Sequence, residues 1–148
     1  LRQVEPMNQF IRVFMSLTAL CLISISAQAQ EKIDVATAFE KAEAGEVLLL
    51  DIRTPREWKS TGVAPQATPL NMRSSSFGSE LMSLIGSNRD QPIALICATG
   101  GRSGYLAEVM AEAGFTVVFD VTEGMVGSDV GPGWIEAGLP VAPFSPGN

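Results

Sequence analysis

Three nearly uninterrupted apolar runs set the rhythm of the chain: VLLLDI (47–52), PIALIC (92–97) and TVVFDV (116–121). Runs this short, without polar alternation, predict strands buried on both faces. Between them the apolar positions recur at helical spacing. In EKIDVATAFEKAEAGE (31–46), Val35, Ala38, Phe39 and Ala42 share one face, with Asp34 to cap the start and Gly45 to end it. SSSFGSELMSLIGSNRDQ (74–91) predicts a helix carrying Phe77, Leu81, Leu84 and Ile85 inward. From Gly101 to Gly114 a third helix is expected to face the core with Tyr105, Leu106, Val109, Met110 and Ala113, leaving Glu108 and Glu112 outside. Smaller features are a helical turn at 56–59, a short strand in TPLNM (68–72), and a Gly-rich loop leading to a short helix at 134–137. Strands alternating with helices predict an α/β fold whose parallel sheet is covered on both faces. In such sheets ligands bind beyond the carboxyl ends of the strands.

The first thirty residues break this rhythm. MNQFIRVFMSLTALCLISISAQAQ starts at Met7, has Arg12 as its one charge, stays apolar from Val13 to Ile25 and ends in Ala27-Gln28-Ala29. A charged start, an apolar middle and a small-x-small end predict a secretory signal peptide over residues 1–29, with 1–6 upstream of its start, cleaved after Ala29. Residues 30–148 then form one domain, exported and periplasmic. An uncleaved membrane anchor is the competing reading, but the apolar stretch is shorter than the roughly 20 residues of a spanning helix. A lipoprotein reading through Cys21 is opposed by Leu20, too large to precede a lipidated cysteine.

Cleavage would remove Arg2, Arg12 and Glu5 from 10 basic and 16 acidic residues, leaving 8 and 15, a net charge of −7. With no basic tract, nucleic acid and an anionic membrane surface are excluded as expected partners. Cys21 departs with the leader, so the remaining thiol, Cys97, has no disulfide partner within the chain. The chain has no histidine.

Cys97 ends the second apolar run and opens Cys97-Ala98-Thr99-Gly100-Gly101-Arg102-Ser103, which leads into a helix. Glycines allow backbone angles that turn successive N–H groups inward, and the helix terminus adds its dipole. Arg102 adds a fixed positive charge, and all three effects favour negative charge at sulfur, the nucleophilic form. The plainer reading is a small core cysteine beside a tight turn. A thiol–disulfide oxidoreductase would show C-x-x-C, which is absent.

LLLDIRTPREW, PIALICATGGRSGYLAEVMAEAGF and EGMVGSDVGPGWIEAGLPV together resemble, in order and spacing, a single-domain rhodanese of the small exported kind. The resemblance implies a rhodanese-like fold, a five-stranded parallel sheet with helices on both faces. It implies a sulfurtransferase whose cysteine takes a sulfane sulfur from a small anionic donor such as thiosulfate and passes it to a thiophilic acceptor, cyanide or a thiol. Cys97 would carry the persulfide, Ala98, Thr99, Gly100, Gly101 and Ser103 would cradle it, and Arg102 would hold the donor. Asp51 and Arg53 match the family's D-x-R, with structural roles expected: Arg53 pairing with Glu57, Asp51 bracing nearby backbone. No cofactor and no metal are implied, and a monomer is expected. The chain departs from the family pattern at Val63 and Ala64, where a histidine is frequent, and at Ala98, where an arginine is common. Arg102 is thus the loop's one cation, which weakens the case for dianionic thiosulfate. A cysteine phosphatase, the nearest rival chemistry, would need five residues between cysteine and arginine, and this loop has four. A persulfide carrier or anion-binding module without turnover stays open as the alternative function.

Overall fold

The three apolar runs become the three interior strands of a five-stranded parallel sheet in the computed structural model, which describes residues 30–145. The expected leader, residues 1–29, lies outside the described residues. The elements run β1 (Glu31–Ile33), α1 (Val35–Glu43), β2 (Leu48–Asp51), α2 (Pro55–Thr61), β3 (Thr68–Pro69), α3 (Phe77–Leu84), β4 (Ile93–Ile96), α4 (Gly101–Glu112), β5 (Val118–Val121) and α5 (Gly133–Glu136). The strand order is β1-β5-β4-β2-β3, every pairing parallel. Every residue of β4 and β5 is buried, which is why those segments carry no polar alternation. The two-residue and three-residue strands at the edges are short and partly polar, a form that discourages pairing with other chains.

The core divides into two halves, one on each face of the sheet. Leu81 and Ile85 at α3, with Leu106, Ala107 and Met110 of α4, pack over Leu50, Leu95 and Cys97. On the other face Val35 and Ala38 of α1 and Trp134 of α5 pack over Leu49, Ile96 and Val121. Each large aliphatic side chain buried in this way contributes about 1.5–3 kcal/mol. This is the α/β architecture that the alternation of strands and helices predicts.

Local differences from the sequence expectation have clear causes. Residues 31–33 are a strand rather than the opening of a helix, because they pair in register with Phe119, Asp120 and Val121. Helix α1 starts only after Asp34, whose carboxylate accepts the Thr37 N–H at 2.7 Å. Helix α3 is shorter than its sequence pattern and stops at Leu84, which is exposed while Leu81 and Ile85 take the core positions. On α4 the buried stripe runs through Ser103, Leu106, Ala107 and Met110. Tyr105 and Val109 occupy the adjoining stripe and are exposed, as is Ala113 at the helix end. Choosing the larger apolar side chains as the inward ones rotated the predicted helix by one position.

Candidate functional site

Cys97 follows β4 directly and is 1% exposed. Its sulfur accepts the Gly100 N–H at 3.1 Å and lies 3.5 Å from the Ser103 hydroxyl, which donates to the Gly100 carbonyl at 3.0 Å. The loop turns tightly because Gly100 adopts φ +87°, a left-handed conformation, and caps α4. A Cβ on Gly100 would stand 2.1 Å from the Thr122 carbonyl oxygen, so the turn lies directly against the end of β5.

A second loop braces the first. The Met125 N–H donates to the Cys97 carbonyl at 2.8 Å and the Val126 N–H to the Ala98 carbonyl at 2.9 Å. Gly124, at φ +68°, makes this approach feasible: a Cβ there would sit 2.3 Å from the Ala98 oxygen. The cradle therefore consists of two loops, at the ends of neighbouring strands β4 and β5. Ala98 is half-buried, and Thr99 and Gly101 are exposed at its mouth. The first turn of α4 has no side-chain cap, which leaves the positive end of a twelve-residue helix beside the sulfur.

Arg102 sits in that first turn, but its guanidinium is already engaged. Nη1 and Nη2 donate to the two oxygens of Glu57 at 3.0 and 2.5 Å. Glu57 comes from α2, where it also accepts from the Thr54 N–H at 2.9 Å and closes a capping box with that residue. The Arg102 contact, aided by the Thr54 hydrogen bonds and opposed by partial burial, holds the Glu57 carboxyl down at about 2. The same hydrogen bonding pushes Arg102 up from its ordinary value.

The expected Arg53–Glu57 pair is thus replaced by two others. Arg53 pairs with Asp51 at 2.6 Å, with both side chains buried, and also donates to the Thr61 hydroxyl at 2.7 Å and the Gly62 carbonyl at 2.8 Å. Asp51 accepts from the Arg53 N–H at 3.2 Å and the Trp58 indole at 3.1 Å. Arg53 spans two residues to Asp51 rather than four to Glu57, because Asp51 ends β2 on the side where α2 turns back. A buried, fully hydrogen-bonded pair of this kind braces the β2–α2 corner, and losing one partner would cost about 3–5 kcal/mol. Sequence reasoning missed Glu57 as the partner of Arg102, although Thr54-x-x-Glu57 spells a capping box that already fixes the carboxylate. It also missed the bracing role of Gly124. Among the described residues no group of three or more Cys, Asp or Glu is placed to hold a metal ion, and no helix is long and apolar enough to cross a membrane.

Comparison with known proteins matches residues 34–128 to the rhodanese-like domain family. An uncharacterized protein of Rickettsia prowazekii is 28% identical over 99 residues, covering 62% of this chain and 80% of that protein. Among solved structures, the 30 kDa polysulfide-sulfur transferase homodimer of Wolinella succinogenes superposes with a TM-score of 0.61 at 21% identity, covering 80% of this chain and 82% of that one. A protein of M. tuberculosis superposes with a TM-score of 0.59 at 27% identity, covering 77% and 98%.

Proposed function

The chain belongs to the rhodanese-like family, and from that premise we propose that it is a sulfurtransferase working through a persulfide on Cys97. The observation that carries the reading is the two-loop cradle, in which a covered sulfur at a strand end receives a backbone N–H at 3.1 Å. The name of the Wolinella relative, a polysulfide-sulfur transferase, supports sulfane sulfur as the cargo. In the proposed cycle the Cys97 thiolate attacks the outer sulfur of a donor such as thiosulfate. A new S–S bond forms as the donor's own S–S bond breaks, and sulfite departs with the electron pair. Gly100 N–H and the terminus of α4 stabilise the negative charge on the persulfide. A thiophilic acceptor, cyanide or a thiolate, then attacks the outer sulfur and returns the Cys97 thiolate. The sequence of residues 7–29 supports a place of work in the periplasm, which the N-terminus of recovered protein tests: Gln30 is expected.

A carrier role is the second reading, and one observation favours it. The sulfur is covered and Arg102 is already neutralised by Glu57, so little free positive charge meets a dianion arriving from solution. Intact-mass spectrometry tests the proposal. Incubation with thiosulfate should add one sulfur atom per chain at Cys97, and cyanide should remove it. A mass that never shifts, beside a thiosulfate sulfurtransferase that does, refutes sulfur uptake from this donor. Loading without repeated turnover would favour the carrier.

A further inference from the structure

Asp120 is a buried carboxylate that the sulfur-transfer cycle does not use. It lies in the middle of β5, is 3% exposed, and its Oδ1 has no hydrogen-bond partner among the described residues. Its register partner on β4 is Leu95, so it faces the same side of the sheet as Leu95 and Cys97, one step behind the thiol. Neighbouring parallel strands and a two-residue offset put its Cα about 8 Å from that of Cys97. Its Oδ2 closes on the first turn of α4, 3.2 Å from where a Gly104 Cβ would stand. Ser103, whose hydroxyl approaches the Cys97 sulfur and donates to the Gly100 carbonyl, precedes Gly104 in that same turn. The other charged groups facing it are Lys32, its register partner on β1, and Glu108 on α4.

We propose that Asp120 sets the charge that the Cys97 cradle accepts: ionised, it turns anionic reagents away, and neutral, it admits them. The other acidic side chains lining the corner are already balanced, Asp51 by Arg53 and Glu57 by Arg102. Glu123, on the bracing loop, spends its oxygens on the Val35 and Gly133 N–H groups at 3.3 and 3.0 Å. Asp120 is therefore the buried carboxylate near the cradle with no ion pair and, at Oδ1, no hydrogen-bond partner among the described residues. Burial, the largest influence, raises its pKa, and Glu108 adds to this, while Ser103 and Lys32 oppose. Its titration therefore lies above the ordinary aspartate range, and the cradle becomes more tolerant of anions as pH falls through it. The inference rests on Cys97 being the reacting thiol but not on the identity of its sulfur donor.

Two alkylating reagents of the same reactivity type, iodoacetamide and the anionic iodoacetate, isolate the charge. Both consume the thiolate, so the ratio of their rates at the Cys97 peptide of the full chain cancels the ionisation of the thiol itself. In the wild type the iodoacetate-to-iodoacetamide ratio should rise as pH falls through the Asp120 titration, which lies above the ordinary aspartate range. In Asp120→Asn it should be flat. On the alkaline side of the Asp120 titration it should exceed the wild-type ratio by about 4- to 17-fold, the Coulomb factor at roughly 10 Å with an effective dielectric of about 20–40. Lys32→Gln, on an exposed edge, should move the wild-type rise to higher pH, which tests the idea without touching the buried residue. A wild-type ratio independent of pH, or an Asp120→Asn variant that changes both rates by the same factor, overturns the proposal. Sulfur uptake by mass is scored separately, so failure of the transferase reading and failure of this one are distinguishable.

Discussion

Replacing Glu57 by glutamine should make the cradle a better receptor for dianionic thiosulfate. In the wild type the donor competes with Glu57 for the Arg102 guanidinium, which is held by two hydrogen bonds at 3.0 and 2.5 Å. Charge-assisted hydrogen bonds of this geometry contribute about 1.5–3 kcal/mol when shielded from water. The side chains here are 25% and 32% exposed, so solvent screening reduces the net worth of the pair to about 1 kcal/mol. Releasing Arg102 from that competition should lower KM for thiosulfate by about 5-fold while kcat changes little. Glutamine is chosen because its carbonyl oxygen can still accept from Thr54 and preserve the cap of α2. Steady-state thiocyanate formation with cyanide as acceptor gives both constants. Glu57→Gln in an Arg102→Ala background is the decisive control. If the gain works through Arg102, it should shrink there to less than about 2-fold. An unchanged or higher KM in Glu57→Gln, or an equal gain in the double variant, would show that the ion pair does not compete with the donor.

The same pair should be visible in acid. The Glu57 carboxyl is held at about 2 against an ordinary 4.5, so its stabilisation is fully present above pH 4.5 and is lost as pH falls through about 2. Urea midpoints should therefore show the wild type about 1 kcal/mol more stable than Glu57→Gln at neutral pH, with the curves converging toward pH 2. Gly100→Ala should cost at least about 2 kcal/mol and weaken sulfur loading, since it combines a left-handed backbone with a Cβ 2.1 Å from the Thr122 oxygen; thermal unfolding and intact mass read both effects. Cys97→Ser should abolish sulfur uptake by mass while Tm stays within about 5 °C of wild type, because the smaller hydroxyl can still accept the Gly100 N–H.

Much of this protein was legible in its sequence because the signals were local. A strand buried on both faces must be apolar throughout, so VLLLDI, PIALIC and TVVFDV announced β2, β4 and β5 before any pairing was known. The loop around Cys97 is contiguous, so its glycines and its position after a strand marked Cys97 as a candidate, with a plain core cysteine as the alternative that spacing alone left open. Edge strand β1 carried no such signal: three residues, two of them charged and exposed, become a strand only through register with β5. The orientation of α4 was misread by one position because Tyr105 is large and apolar, whereas its small neighbours Ser103 and Ala107 are what fit against the sheet. The electrostatics of the site were settled by tertiary structure. Glu57 and Arg102 stand 45 residues apart and meet because β2 and β4 are neighbours, which brings the starts of α2 and α4 together at one end of the sheet. Asp120 is one polar residue within the apolar run TVVFDV. Its placement behind the thiol depends on the β4–β5 register, and no local pattern encodes the pairing of two distant segments.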